Sequence, residues 1–346
     1  MQTDGAGDPV IRSVRGSSVM TIMSRFYRSG RVLFALSAAM LVAGAAQAQD
    51  KVRVGVFPVS STLPLFVGIE RGFFKEQNIE VETTRLIGGP PNVAALIGNQ
   101  IDAAAVLVTI EGMNANLKKP GVAMYISINS QNAKYQMEQF VVRKGLEIKS
   151  LADLKGKKIM SAPGPANVSM ARAALAAAGL KEGDYQLDQL DMGQHVNAMT
   201  AGTFDAGYTL EPNATLMRKN GVATTFEAGV IAKYVLGDPQ ANAWVGGCAL
   251  SSEFIKTKPD VAKRFTAGWA KAVKFITDNP GEARKHLAKN TFTPDDVVAT
   301  VPLVRFEMVN NLTAKDIADF QKFIDFSVTT GVLPEKVDVS KYLQKF

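Results

Sequence analysis

The sequence predicts an α/β protein of two lobes, each built around a largely parallel sheet. Short apolar runs alternate with longer segments of helical periodicity, a pattern typical of parallel sheets covered by helices. The alternation occurs in two separate stretches, which begin near Lys51 and near Gln139. The 346 residues also exceed the ~100–200 residues of one ordinary domain. Two linked lobes are therefore expected.

The first 48 residues are predicted to be a signal peptide. The segment 32–45 is apolar and rich in Ala and Leu, and Ala46-Gln47-Ala48 carries small residues at the two positions that signal peptidase reads. The apolar run is preceded by three basic residues, Arg25, Arg28 and Arg31. We predict cleavage between Ala48 and Gln49, and release of the remaining chain into the periplasm.

Two alternatives apply to the same segment. An uncleaved anchor is disfavoured because the apolar run is shorter than the ~20 residues of a spanning helix. Residues 1–19 are polar and lack signal character, so translation beginning at Met20 or Met23 is a hypothesis.

The first alternating stretch predicts three strands with helices between them. Val52, Val54 and Val56 alternate along the first strand, so they share one face. The elements in order are a strand over 51–57, a helix over 65–77, a strand over 79–84, a loop over 88–92, a helix from 93 and a strand over 101–108. This order implies parallel strands with right-handed crossovers.

The second stretch repeats the pattern. Asn167 is a candidate N-cap for a helix over 170–178, which Gly179 ends. The other elements are a short helix over 151–154, a strand over 158–161, a turn over 164–169, a strand over 185–191, a helix over 195–201 and a strand over 206–210.

The chain is predicted to return to the first lobe near residue 240. A strand is expected over 244–251, and the helices that follow are expected over 260–277, 281–288, 294–300 and 314–330. Lobe 1 would then be discontinuous, with residues 49–138 plus 240–346, and lobe 2 would be the insertion 139–239. Crossings near 138–141 and 238–243 would form a hinge.

Composition argues against several classes of function. The formal net charge of +7 is dispersed, with no run of five basic residues, so no nucleic-acid partner is expected. Cys248 is the one cysteine, and His195 and His286 are the two histidines. Neither a disulfide nor a metal cluster can be built from these residues. We expect no catalytic residue, no metal and no cofactor.

A series of short motifs spans the chain after the signal peptide. They are Leu65-Phe66, Gly72-Phe73-Phe74, Ile79-Glu80-Val81, Gly88-Gly89, Ala94-Ala95-Leu96, Gly98-Asn99-Gln100-Ile101-Asp102 and Ala152-Asp153-Leu154-Lys155-Gly156-Lys157-Lys158-Ile159. In this order they resemble the nitrate/sulfonate/taurine-type solute-binding proteins of ABC transporters, whose superfamily includes binders of thiamine pyrimidine precursors. The resemblance implies a type II periplasmic-binding-protein fold, in which two α/β lobes close on a ligand. It also implies an ABC permease and ATPase as partners, and we expect a monomer.

Ligands of open α/β sheets bind beyond the carboxyl ends of the strands, and the resemblance points to the same loops. The predicted ligand-binding residues are Ser60, Ser61, Thr62, Gly89, Asn92 and Thr109 in lobe 1, and Ser161, Asn167, Ser169 and Glu211 in lobe 2. Each has an alternative role: the hydroxyls as helix caps, the glycines in a turn with positive φ, and Glu211 in a hinge or inter-lobe salt bridge.

The candidate loops 57–64, 88–92, 107–112 and 161–169 contain no Arg, Lys or His. An anionic ligand would therefore depend on backbone amides, hydroxyls and helix dipoles. A zwitterion, an amine or a polar heterocycle fits equally well, with Glu211 as its polar partner. Glu111 is expected to be solvated. Trp244, Tyr135 and Tyr208 could stack on a ring, with packing as the alternative.

The leading hypothesis is the periplasmic solute-binding component of an ABC importer. Its ligand would be a small polar organic molecule or anion, either sulfonate-, taurine- or nitrate-like or pyrimidine-like. One alternative is a binding protein for another system, such as a TRAP-type carrier or a sensor. Another is an enzyme related to thiamine pyrimidine synthesis.

Overall fold

The structure is a computed structural model that describes residues 48–346. The predicted signal peptide and the alternative start sites fall on residues up to 48 and thus lie almost wholly outside the described residues. No helix within 48–346 combines the length and apolarity that crossing a membrane requires.

The described residues form two sheets flanked by helices. The strands are β1 (Asp50–Val56), β2 (Ile79–Arg85), β3 (Ala103–Val108), β4 (Met124–Gln131), β5 (Glu138–Arg143), β6 (Lys158–Ser161), β7 (Gln186–Gln189), β8 (Ala206–Leu210), β9 (Ala223–Ala228), β10 (Ala243–Leu250) and β11 (Arg305–Met308). The helices are α1 (Leu63–Glu70), α2 (Gly89–Ile97), α3 (Thr109–Lys118), α4 (Pro165–Ala177), α5 (His195–Thr200), α6 (Asn213–Lys219), α7 (Ser252–Thr257), α8 (Pro259–Asp278), α9 (Pro280–Lys285), α10 (Ala288–Thr291), α11 (Asp295–Val298) and α12 (Ala314–Thr329).

Each sheet belongs to one lobe. The lobe 1 sheet has the order β11-β4-β10-β3-β1-β2, and the lobe 2 sheet has the order β7-β6-β8-β5-β9. β1 pairs in parallel with β2 and β3, while β10 lies antiparallel between β3 and β4. In lobe 2, β6 pairs in parallel with β7 and β8, and β5 is antiparallel to β8 and β9. The predicted lobe boundaries at 138/139 and 239/240 stay a prediction.

The chain crosses between the sheets over 132–137 and again over 229–242, and these two connections lie side by side. The Ala133 N–H donates to the Pro239 carbonyl at 3.1 Å. Gly229 has φ of 64°, and a Cβ there would lie 2.7 Å from the Ala133 nitrogen. The close approach and the positive φ both require glycine at this position.

Helix α8, the longest among the described residues, contributes its apolar face to the core of lobe 1. Pro259 begins it at a position where proline is favoured, and Phe265, Trp269 and Val273 lie on its buried face. Phe74, which follows α1, stacks on Phe265 with ring centroids 5.0 Å apart. The amphipathic pattern predicted this helix closely.

Two predicted loops are instead the beginnings of helices. Residues 88–92 and 164–169 contain Pro90 and Pro165 in the first turns of α2 and α4, and proline favours that location. Gly88 and Gly164 are the N-cap residues, with φ of 86° and 103°. The prediction of Asn167 as N-cap of a later helix is therefore wrong. Asn167 lies inside α4, where its side-chain amide donates to the Pro163 carbonyl at 2.7 Å.

Candidate functional site

A small cavity of about 40 Å³ lies where the two lobes meet, and we call it the interlobe cavity. The residues that line it come from the chain after β1 and from β3, β4 and β10 of lobe 1, and from the ends of β5 and β8 of lobe 2. Its lining is Phe57, Val59, Ser61, Val106, Val108, Asn129, Met137, Glu138, Asn167, Leu210, Val245 and Gly246. The space suffices for a water molecule or two. A larger ligand therefore requires the lobes to separate.

Glu138, the first residue of β5, lines this cavity and is only 5% exposed. Its Oε2 has no hydrogen-bond partner. Burial raises the pKa of Glu138 to about 8, and no basic side chain opposes the rise. Tyr208 on the neighbouring β8 is also buried, and burial together with the Glu138 carboxylate raises its pKa. The cavity therefore holds a carboxyl group without a protein partner for Oε2.

Asn129 on β4 contributes a second polar group to the same cavity. It is 3% exposed, and its Oδ1 has no hydrogen-bond partner. Gly246 on β10 lies beside it, and a Cβ at Gly246 would lie 3.4 Å from the Asn129 amide. Buried polar atoms without partners are uncommon in folded proteins. Their presence at one cavity indicates a place for a polar ligand.

Glu111, in the first turn of α3, projects to the boundary between the lobes. A Cβ on Gly89 would overlap its carboxylate, and a Cβ on Gly164 would lie 2.9 Å from its Oε1. The carboxylate thus lies between the starts of α2 and α4. Burial raises the pKa of Glu111 to about 7, and the nearby Ala166 amide opposes the rise only in part. Both oxygens lack a hydrogen-bond partner. The expectation that Glu111 is solvated is wrong, because the glycines of two helix starts leave room for it.

Glu111 also lines a larger cavity of about 720 Å³, the outer cavity, between α3, α4 and the end of α12. Ser169 and Arg172 of α4 line the same space. The Ser169 hydroxyl lies 3.5 Å from the Thr330 hydroxyl of lobe 1. The predicted residue Ser169 is therefore at the rim of the lobe boundary.

The predicted site residues divide by placement. Ser61 and Asn167 line the interlobe cavity, and Gly89 contacts the Glu111 carboxylate. Ser60 joins the lobes, since its N–H donates to the Glu211 carbonyl at 3.2 Å. These four residues lie at the boundary between the lobes, and their role in ligand binding stays a prediction.

Four others hold backbone within their own lobe. The side chains of Thr62, Asn92, Thr109 and Ser161 donate to the carbonyls of Phe57, Gly88, Trp244 and Ala162, respectively. None of the four lines the interlobe or the outer cavity. They support the loops around the interlobe cavity.

The Glu211 carboxylate faces the interior of lobe 2. Arg218 donates to its Oε1 at 3.1 Å, Gln139 donates to the same oxygen, and the Thr215 N–H donates to Oε2 at 3.1 Å. Burial raises the pKa of Glu211, and Arg218 opposes the rise. Its oxygens are engaged within the lobe, and Glu138 replaces it as the carboxylate at the cavity.

Two of the three aromatic candidates, Trp244 and Tyr208, pack within the protein. Trp244 is fully buried, with the Arg305 guanidinium 5.1 Å from its ring centre. Tyr208 packs on Phe140 with centroids 5.2 Å apart. Tyr135 lies at a separate surface depression beside Lys134. None of the three lines the interlobe cavity.

His195 and Cys248, which could serve as a base, a nucleophile or a metal ligand, are both buried away from the interlobe cavity. His195 is buried, with Nδ1 bonded to the Thr209 hydroxyl at 2.8 Å and Nε2 to the Leu190 carbonyl at 3.0 Å. Cys248 is buried in the lobe 1 core, which raises its pKa. Over 48–346, no cluster of three or more His, Cys, Asp or Glu side chains is arranged to hold a metal ion.

Known proteins resemble this chain in sequence. The family model described as NMT1/THI5 like matches residues 60–283. A Brucella abortus (strain 2308) protein provisionally named a binding protein is 26% identical over 224 residues, which are 64% of this chain and 66% of that protein's length. A Bacillus subtilis (strain 168) protein provisionally named an aliphatic sulfonates-binding protein is 26% identical over 297 residues, 84% of each chain.

Solved structures share the fold. The alkanesulfonate-binding protein SsuA from Xanthomonas axonopodis pv. citri, bound to MOPS, aligns with a TM-score of 0.69 at 20% identity, over 87% of this chain and all of that one. The nitrate-binding protein NrtA from Synechocystis PCC 6803 aligns with a TM-score of 0.66 at 15% identity, over 85% and 84% of the chains. The desulfurization enzyme DSZB aligns at 0.62 and 15% identity, over 85% and 96%. The predicted two-lobed periplasmic-binding-protein fold is confirmed.

Proposed function

Because the chain belongs to the NMT1/THI5-like family, we propose that it is the periplasmic solute-binding component of an ABC importer. The observation that supports this role is the interlobe cavity, where buried polar atoms of Glu138 and Asn129 have no protein partner. A bound solute would supply those hydrogen bonds. The named binding activities of the relatives point the same way.

The mechanism we propose is hinge closure. The lobes touch through the Ser60–Glu211 backbone bond, through an ion pair of 3.1 Å between Lys219 on α6 and Asp296 on α11, and through a buried apolar cluster that joins Phe57 and Val106 of lobe 1 to Ala162 and Leu210 of lobe 2. The exposed ion pair contributes little, ~0–1 kcal/mol, so the main cost of separating the lobes is the exposure of the apolar cluster. The paired connections 132–137 and 229–242 would act as the hinge. A solute entering the open form would bridge the lobes, and the closed form would dock on the permease.

An enzyme is the less favoured alternative. The DSZB structure shows that this fold occurs in an enzyme. However, the polar groups at the interlobe cavity are carboxyl, amide and hydroxyl groups, whereas His195 and Cys248 are buried elsewhere and face their own lobes. We therefore propose capture and release of an unaltered solute.

Binding is tested with the chain from Gln49 to Phe346, produced with export to the periplasm. Thermal unfolding would be followed against a panel of sulfonates, nitrate, amino acids, amines and pyrimidines. We expect at least one compound to raise the unfolding temperature by mass action and to compact the protein in small-angle X-ray scattering. If no compound produced a shift, and none reduced the radius of gyration, solute binding by closure would be contradicted.

Delivery is tested separately by uptake. Deleting the gene should abolish import of the identified solute. If the chain serves an ABC importer, membrane vesicles with the permease and ATPase of that importer should hydrolyse ATP faster when the loaded protein is added. Uptake that depends instead on a carrier without an ATPase would favour the TRAP-type alternative.

A further inference from the structure

We infer that the solute carries a protonated amine or amidinium group directed at Glu138, and that it is not an oxyanion. This inference rests on the proposed solute-binding function and adds the chemical class of the ligand. It stands on the unpartnered Oε2 of Glu138 and Oδ1 of Asn129, both at the interlobe cavity. The Asn129 oxygen accepts hydrogen bonds, and so do both Glu138 oxygens once an arriving cation ionises the carboxyl group, so a ligand that satisfies both residues presents donors to them.

The cavity offers an oxyanion no positive charge. Among residues 48–346, none that lines the interlobe cavity is Arg, Lys or His. Arg218, which lies close by in sequence to β8, is already bonded to Glu211 and Gln139. Arg172 lines the outer cavity, half exposed beside Glu182. A sulfonate or nitrate at Glu138 would therefore find no guanidinium among the lining residues to balance its charge, and it would oppose ionisation of the carboxyl group.

The helix start that would favour an anion already faces a carboxylate of the protein. Unpaired N–H groups at the beginning of α4 attract negative charge, and Asn167 in its first turn lines the interlobe cavity. The Glu111 carboxylate from lobe 1 lies against this helix start, between Gly89 and Gly164. An oxyanion would have to displace a protein carboxylate from the position that suits it best. A cation has no such competitor, and its arrival favours the ionised form of both acids.

The identity of residue 138 supports the same conclusion. A glutamine would fill nearly the same volume without the cost of burying an ionisable group. A carboxylate becomes advantageous when a charged donor arrives, because charge-assisted hydrogen bonds are about twice as strong as neutral ones. An amidinium group also presents two parallel N–H donors that match the two oxygens of a carboxylate.

The test uses probe pairs of similar size and opposite charge on the chain 49–346. Guanidinium and nitrate are both planar and trigonal, while benzamidinium and benzenesulfonate share a ring. Binding would be measured by calorimetry at constant ionic strength in wild type, Glu138→Gln, Glu111→Gln and the exposed control Glu335→Gln. We expect the cations to bind more tightly than their anionic partners. Glu138→Gln should weaken the cations about 30-fold, the loss of one charged hydrogen bond, while Glu335→Gln should not change them.

The outcomes separate the ligand class from the function. Saturable binding of the anions that Glu138→Gln leaves unchanged would overturn the ligand class but retain the solute-binding role. Absence of binding by every probe would count against both. Glu138→Asp provides a second variant that keeps the charge, and it should retain more cation affinity than Glu138→Gln. Glu111→Gln should narrow the difference in affinity between the cationic and the anionic probes. An unchanged difference in affinity would contradict the role given to Glu111.

Discussion

Replacing Glu138 with glutamine is expected to stabilise the protein without ligand at pH 8, and to change its stability little at pH 5. Most substitutions of buried residues destabilise, so the expected gain is a distinctive result. It follows from the burial of an acid that has no cationic partner and whose Oε2 forms no hydrogen bond.

The magnitude follows from the pKa of Glu138, which burial raises from 4.5 to about 8. A raised pKa means that the folded state binds the proton more tightly than the unfolded state. The stability that this proton contributes is fully present below pH 4.5 and is lost as the pH rises through about 8. The loss is about 4 kcal/mol at pH 8 and about 1 kcal/mol at pH 5. Water entering the cavity reduces these figures, so they are upper limits.

The assay is urea unfolding of the chain 49–346 at pH 5 and pH 8, with the free energy of unfolding compared between wild type and Glu138→Gln. Glu335→Gln is the matched control, because Glu335 is exposed. We expect the variant to gain a few kcal/mol relative to wild type between pH 5 and pH 8, and the control to gain nothing. If Glu138→Gln were less stable at pH 8, or differed equally at both pH values, the reasoning about the buried carboxylate would be refuted.

Three further variants test the surroundings of the site. Burial raises the pKa of Glu111 from 4.5 to about 7, so its stabilising proton is lost as the pH rises through 7; Glu111→Gln should unfold at a higher temperature than wild type at pH 8 but not at pH 4. Equal melting temperatures at pH 8 would contradict this. Gly89→Ala should lower the free energy of unfolding by about 1–3 kcal/mol, because its Cβ would overlap the Glu111 carboxylate. Small-angle X-ray scattering should also give a larger radius of gyration, since the lobes would be held apart. A variant with the stability and the radius of gyration of wild type would count against the contact. Arg218→Met should cost about 3 kcal/mol in urea unfolding, since it leaves Glu211 buried without its ion pair. The exposed Arg172→Met serves as its control, and equal losses in the two variants would argue against a special role for the buried pair.

Most of the sheet strands could be predicted because their apolar periodicity is local. β1 and β3 depend on alternation or on continuous apolar runs, which the sequence displays directly. β4 was hidden because Ser127, Asn129 and Gln131 interrupt its apolar residues. The predicted starts of α2 and α4 lie a few residues after the observed starts at Gly89 and Pro165. The reason is that proline and glycine also occur in loops, and only the following turn distinguishes a loop from a helix start.

The site was harder to predict than the fold. The rule that ligands bind beyond strand ends predicted Ser61 and Asn167, and both line the interlobe cavity. Glu138 and Asn129 lie within strands, where exposure to the cavity depends on which strand pairs alongside and on how the lobes face each other. The bonding of Glu211 to Arg218 depends equally on how α6 packs on lobe 2. Such information is tertiary and has no local signature.

The most direct measurement of the central claim is native mass spectrometry of the protein exported and purified without added solute, followed by a crystal structure of the same material. The account predicts one bound small molecule with an amine or amidine group, between the lobes and within hydrogen-bond distance of Glu138 and Asn129. An oxyanion at that position would contradict the ligand class. A molecule bound away from the boundary between the lobes, or a closed structure that admits none at that boundary, would contradict solute capture between the lobes.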